Sequence, residues 1–115
     1  MLYSVESNKD IENTALALEK AASRGRLGSF KVYDLKQELA REGIDLRKEC
    51  RIYQFSKCEE LKLPVTISVF TEANHVKIAT LKPSEFLGFY RQSEMADVIN
   101  DIEKVLLEVI EEALK

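Results

Sequence analysis

The chain has 115 residues and a formal net charge of −3, with 45% hydrophobic and 32% charged residues. This length predicts one domain over residues 1–115, with a single hydrophobic core. The acidic balance argues against sequence-independent nucleic-acid binding, which needs a basic surface. The stretch LKLPVTISVF is too short and too polar to cross a membrane, and the first residues lack a secretory signal pattern. We therefore expect a cytoplasmic protein.

The first half of the chain predicts a β-α-β-α pattern. LYSVES alternates as a strand does, and the apolar spacing in NKDIENTALALEKAASR predicts a helix. Ser7 or Asn8 can cap this helix, and Gly25 ends it. GSFKVYD is the second strand. Asp34 then caps a short helix that Gly43 ends.

The second half of the chain predicts three strands and two helices. CRIYQF is the third strand, and VTISVF and VKIATL form a hairpin around Asn74, which tolerates a positive φ. Pro83 begins a short helix through Tyr90. The final segment carries a regular i, i+3, i+4, i+7 apolar stripe that either the sheet or a second copy must cover. Its members are Met95, Val98, Ile99, Ile102, Val105, Leu106, Val109, Ile110 and Ala113.

This order of elements, β-α-β-α-β-β-β-α-α, predicts an α+β fold. We expect a mixed β-sheet of about five strands with the helices packed mainly on one face. The sequence shows no internal repeat.

Four stretches, GSFKVYDLKQEL, ECRIYQFSKC, LPVTISVF and IATLKPSEF, followed by the amphipathic final helix, resemble the DUF302 family. The resemblance spans nearly the whole chain and implies the TT1751-like fold. It implies no biochemical activity, because none is established for the family. SKCEELK stands where family members have an Asn-Pro and a helix of several turns, which implies a shortened member. Val65 replaces a cysteine that often follows Leu-Pro in the family.

The two cysteines, Cys50 and Cys58, are eight positions apart in a strand-forming segment. Fully extended, such a segment spans roughly 25 Å, far more than the roughly 7 Å that a disulfide allows. Cys50 is then interpreted as a small, half-buried apolar residue. The alternative is a reactive thiolate favoured by its neighbours Lys48 and Arg51, which would serve redox or sulfur chemistry.

Other chemistry has little support in the sequence. His75 is the single histidine, so we expect no metal site, no catalytic residue and no cofactor, and a non-enzymatic role is favoured. Arg47, Lys48 and Arg51 form a basic cluster that predicts binding of a small anionic ligand, with Tyr33 and Tyr53 on nearby strands. The candidate ligand-binding residues are Cys50, Arg51, Arg47 and Lys48.

Charge is distributed unevenly along the chain. Residues 20–51 contain nine Lys or Arg against five Asp or Glu, whereas residues 92–115 contain two against seven. Such asymmetry can promote antiparallel self-association or recruit a charged partner, although a solvated surface is the simpler and favoured interpretation. We expect a homodimer, no membrane partner, and a role in binding or self-association. Thiol chemistry at Cys50 and binding of a small anion are the alternatives.

Overall fold

The computed structural model describes residues 2–24, 26–57, 65–85 and 93–115. Within these ranges the elements are β1 (Leu2–Ser7), α1 (Ile11–Ala22), β2 (Phe30–Asp34), α2 (Leu35–Arg41), β3 (Cys50–Phe55), β4 (Thr66–Glu72), β5 (His75–Leu81) and α3 (Ser93–Leu114). This order confirms the predicted α+β architecture. The short helix expected after Pro83 is a 3₁₀ turn over residues 83–85. Its expected continuation to Tyr90, and the connection around Cys58 that the family resemblance implies is shortened, lie outside the described residues.

The five strands form one sheet in the order β1-β5-β4-β3-β2. Every neighbouring pair is antiparallel, so the sheet is antiparallel rather than mixed, which corrects that detail of the prediction. A β-α-β sequence suggests parallel neighbours, but α1 connects two strands that lie at opposite edges of the sheet. β1 and β2 run in the same direction, yet the other strands separate them.

Helices α1 and α3 pack against each other and cover one face of the sheet. The apolar stripe of α3 is buried in this core through Ile99, Ile102, Leu106, Val109, Ile110 and Ala113. The chain itself therefore covers the stripe, which leaves it unavailable to a second copy. Val98 departs from the prediction, since it is 41% exposed.

Alternation along β3 separates its side chains between the two faces of the sheet. Tyr53 and Phe55 are buried under the helices, and Arg51 points the same way because it is two residues from Tyr53. Cys50 and Ile52 consequently lie on the opposite face, where both are half-buried.

Helix caps and turns fix the ends of these elements. Asp10, not Ser7 or Asn8, caps α1, because its Oδ1 accepts a hydrogen bond from Asn13 N at 2.8 Å. Ser7 instead ends β1, and its hydroxyl lies 2.9 Å from Thr14 Oγ1. Asp34 caps α2 as predicted, with Gln37 N donating to Oδ1 at 3.1 Å.

The β4–β5 turn is the predicted hairpin. Ala73 and Asn74 both have positive φ, 52° and 68°, as a two-residue type I′ turn requires. Asn accepts this conformation readily, whereas the Cβ of Ala73 resists it. The hairpin thereby holds an exposed tip at one end of the sheet.

Candidate functional site

A cavity of about 1140 Å³ opens at one end of the sheet. We call it the hairpin-end cleft. Its walls come from residues 6–11 at the β1–α1 junction, residues 47–49 before β3, residues 71–76 around the β4–β5 turn, and Lys36 of α2.

Sheet register brings these separate segments together. Ser7 pairs with Val76 across β1 and β5, which places the β1–α1 junction beside the hairpin. On the other side, Thr71 N donates to Glu49 O at 3.1 Å, and Glu49 N donates to Thr71 Oγ1 at 3.1 Å. The loop that carries Arg47 and Lys48 is thus attached to β4.

Every acidic side chain that lines the cleft has a partner among the described residues. The pairs are Glu6 Oε1 with His75 Nδ1 (3.2 Å), Asp10 Oδ1 with Asn13 N (2.8 Å), Glu49 Oε1 with Lys36 Nζ (3.2 Å), and Glu72 Oε1 with Lys77 Nζ (2.9 Å). Hydrogen bonding by the Lys77 ammonium lowers the pKa of Glu72, and the more distant positive charge of Lys48 lowers it further. Each acidic side chain of the cleft thus makes a hydrogen bond or an ion pair of its own.

The basic side chains of the cleft divide into two groups. Lys36 is paired with Glu49, and Lys9 Nζ donates to the carbonyls of Ala113 at 2.9 Å and Lys115 at 2.8 Å near the end of α3. Arg47 and Lys48 are exposed, and neither makes an ion pair or side-chain hydrogen bond with any described residue. Arg47 and Lys48 are therefore two cations without a close ion pair among the described residues, in a cleft where Asp10 is bonded only to a backbone N–H and His75 is charged only when protonated.

Arg51 does not join Arg47 and Lys48, although the sequence placed all three in one cluster. Its guanidinium lies under α1, with its Nη2 donating to Glu12 Oε1 and its Nε 3.8 Å from Asp34 Oδ2. The side chain is only 16% exposed. Because successive strand residues point to opposite faces, Arg51 links β3 to β2 and α1 instead of facing the cleft.

Cys50 lies on the opposite face of the sheet from Arg51, and it is a free thiol. Burial raises the pKa of Cys50, and the negative charge of Asp34 raises it further. The lowering by Lys48 and Arg51 on which the alternative of a reactive thiolate rested is not found here, since Glu12 and Asp34 pair with the Arg51 guanidinium. The raised pKa disfavours the thiolate that a redox role requires. Cys58, its suggested partner, lies outside the described residues.

The two tyrosines expected near the basic cluster are also separated. Tyr53 is fully buried, and its hydroxyl donates to Glu19 Oε2 at 2.8 Å, whereas Tyr33 is 41% exposed on the other face. Conversely, the sequence did not indicate Lys9, Lys36 and His75 as neighbours of Arg47. They are distant along the chain, and only strand register brings them to one end of the sheet.

No protein-family model matches this chain, and no curated protein matches it either. Its structure is similar to the crystal structure of an uncharacterized conserved DUF302 protein from Bacillus stearothermophilus. The TM-score is 0.82 over 97% of both chains, with 20% sequence identity. The chain has the DUF302 fold. The three-dimensional architecture thus confirms the fold that the resemblance implies, and at this identity the match concerns the fold alone. Coverage of 97% of both chains means that the two chains have about the same length, so the comparison does not support a shortened member.

Because the match concerns the fold alone, any function has to be argued from the side chains of this chain. In the ranges described, no group of three or more His, Cys, Asp or Glu residues is arranged to hold a metal ion. No helix in the same ranges is long and apolar enough to span a membrane. The hairpin-end cleft, where Arg47 and Lys48 make no close ion pair with any described residue, is therefore the candidate functional site.

Proposed function

We propose that this chain is a binding domain that takes a small anionic ligand into the hairpin-end cleft. The observation that carries the proposal is the charge pairing in the cleft. Each acid that lines it makes a close polar contact of its own, whereas Arg47 and Lys48 make no close ion pair or side-chain hydrogen bond with any described residue, and Lys48 acts on Glu72 only through a longer-range charge interaction.

Phosphate or carboxylate groups are the ligand chemistry that fits these two side chains. An arginine guanidinium presents a planar fork of donors that matches either group, and the neighbouring lysine adds a second positive charge. Arg47 and Lys48 lie on a loop whose next residue, Glu49, is bonded to Thr71. This attachment reduces the entropy lost when a ligand orders the loop.

The experiment measures the melting temperature with pyrophosphate or citrate, against sodium chloride of the same ionic strength. A ligand at ten times its Kd stabilises the native state by about 1.4 kcal/mol, which raises Tm by roughly 5 °C or more. We expect one of the two anions to produce this rise and the Arg47→Gln/Lys48→Gln double variant to abolish it.

A matched control removes two charges elsewhere. Lys20 and Lys104 are exposed and lie outside the cleft, so the Lys20→Gln/Lys104→Gln variant should keep the full anion response. An equal loss of response in both double variants would mean that net charge, not the cleft, attracts the anion. The absence of any rise beyond that of sodium chloride would refute the proposal.

A further inference from the structure

Strand β2 forms one edge of the sheet, and no described residue pairs with its outer side. Ser56 N donates to Ser29 O, so the backbone groups of Ser29 point toward β3. By alternation Lys31 and Tyr33 also point inward, which directs the N–H and C=O groups of Phe30 and Val32 and the N–H of Asp34 outward, while the C=O of Asp34, the N-cap, accepts the first hydrogen bond of α2. An edge of this kind is a template for another strand.

The side chains of β2 leave this edge approachable on both faces of the sheet. Val32 is 45% exposed on the helix-covered face, and Tyr33 is 41% exposed on the other. The strand contains no proline, and it pairs with β3 without a bulge from Phe30 to Asp34. At the opposite edge, β1 exposes the polar side chains Ser4 and Glu6 along its middle.

From this edge we infer that β2 pairs with β2 of a second copy, antiparallel and with Val32 opposite Val32 of the partner subunit. The two sheets then join into one continuous sheet around a two-fold axis perpendicular to it. In this register the two-fold axis passes beside Val32, whose backbone N–H and C=O groups point outward. Val32 exchanges two backbone hydrogen bonds with Val32 of the partner subunit, and the N–H of Asp34 in each copy donates to the C=O of Phe30 in the other.

Side-chain complementarity favours this register over its neighbours. On the helix-covered face, the two exposed valines meet at the axis. On the other face, Lys31 of each copy lies opposite the Tyr33 ring of the other, an arrangement that suits a cation and an aromatic face. A shift centred on Lys31 would place two like charges opposite each other, and a shift centred on Tyr33 would leave Phe30 without a facing strand residue.

The expected dimer is weak, because one short strand edge buries less than the roughly 1,600 Å² of a standard interface. This surface is distinct from the hairpin-end cleft, so it adds to the proposed binding function without depending on it. It also replaces the α3 stripe as the basis of self-association, since α3 is covered by its own chain.

Sedimentation equilibrium from roughly 10 to 500 µM tests the association, a range suited to an interface smaller than the standard size. We expect concentration-dependent dimer formation by the native chain and its loss in Val32→Lys, which would place two lysines opposite each other. The control is Leu2→Lys, since Leu2 is 58% exposed on the other edge strand, and this variant should dimerise like the native chain. A native chain that is monomeric at every concentration would overturn the inference.

Disulfide trapping tests the register. In a Cys50→Ser/Cys58→Ser background, Val32→Cys places two sulfurs on residues whose Cα atoms are about 5.5 Å apart, within disulfide range. Tyr33→Cys places them on residues offset along the strands, roughly 8 Å apart and beyond that range. We expect rapid oxidative cross-linking of the first variant only. Cross-linking of both at the same rate, or of Tyr33→Cys alone, would contradict the proposed pairing.

Discussion

Tyr53 links the sheet to helix α1 through a part-buried hydrogen bond of its hydroxyl. Its ring is fully buried and contacts the ring of Phe30 edge-on, with centroids 5.6 Å apart. Its hydroxyl donates to Glu19 Oε2 at 2.8 Å. A buried hydroxyl without such a partner would be costly, so Glu19 is what permits a tyrosine at this core position.

Replacing Tyr53 with Phe should lower the free energy of unfolding by about 1–2 kcal/mol, because a hydrogen bond to an ionised carboxylate is lost. The matched control is Tyr33→Phe, which removes a hydroxyl that is exposed and should change stability by less than about 0.5 kcal/mol. Urea denaturation of the three proteins at neutral pH measures both effects. Equal stability of Tyr53→Phe and the native chain would contradict this role of the hydroxyl.

The same residue predicts a pH dependence at the alkaline end. Burial raises the pKa of Tyr53, and the Glu19 hydrogen bond raises it further, above the unfolded value of about 10. The native state therefore keeps a proton that the unfolded chain loses. The contribution is complete below about pH 10 and decreases as the pH rises beyond it. As the pH rises above about 10, the free energy of unfolding should fall more steeply for the native chain than for Tyr53→Phe. Parallel curves for the two proteins would exclude this role of Tyr53.

Cys50 should react slowly with alkylating agents in the native state, because burial and Asp34 raise its pKa. Asp34→Asn removes the negative charge but keeps an N-cap for α2, so it should accelerate the alkylation of Cys50. Glu38→Gln removes an exposed charge from the same helix and serves as the control. Mass spectrometry resolved by peptide separates Cys50 from Cys58. Native Cys50 labelled as fast as an unfolded cysteine would contradict the prediction.

At the scale of elements, the local sequence patterns correctly predicted a turn, a helix cap and an amphipathic helix. The hairpin around Asn74, the cap at Asp34 and the amphipathic α3 were all predicted, because each depends on residues close together in sequence. The cap of α1 was misplaced by a few residues, since several polar residues in a row can serve and only the end of β1 decides among them. The sheet direction was missed for a different reason, because it depends on which strands become neighbours.

The burial of α3 predicts a large contrast between two leucines in helices. Leu106 is fully buried, so Leu106→Ala should lower the free energy of unfolding by about 2–4 kcal/mol through lost contacts and a cavity. Leu16 is 64% exposed on α1, so Leu16→Ala should change the free energy of unfolding by less than about 0.5 kcal/mol. Chemical denaturation measures both, and similar losses would contradict the packing of α3 on its own chain.

At the scale of the whole molecule, the uneven charge of the chain is partly compensated within it. Arg26 Nη1 lies 2.7 Å from Glu108 Oε2, and Arg24 Nη2 lies 3.5 Å from Glu112 Oε1. The basic end of α1 thus faces the acidic side of α3. These exposed pairs contribute little stability, about 0–1 kcal/mol each, but they neutralise within the chain some of the charges that the sequence left open to a charged partner.

The two proposed surfaces should respond independently, since the cleft lies at one end of the sheet and β2 forms a lateral edge. Val32→Lys should abolish dimerisation and leave the anion-dependent rise in Tm unchanged. The Arg47→Gln/Lys48→Gln variant should do the reverse. Measuring both properties on both variants tests this separation, and loss of both properties in either variant would show that the surfaces are coupled.

The sequence by itself determined the α+β class, the order of the elements and the face that each amphipathic element buries. These features depend on local periodicity, capping and turn chemistry, which neighbouring residues carry. The tertiary structure decided which strands pair and therefore which charges meet. The strand register places Arg47 and Lys48 beside the hairpin tip. The alternation of side chains along β3 places Arg51 under α1 and Cys50 on the opposite face of the sheet. A site whose residues are distant along the chain cannot be located before the pairing of the strands is known.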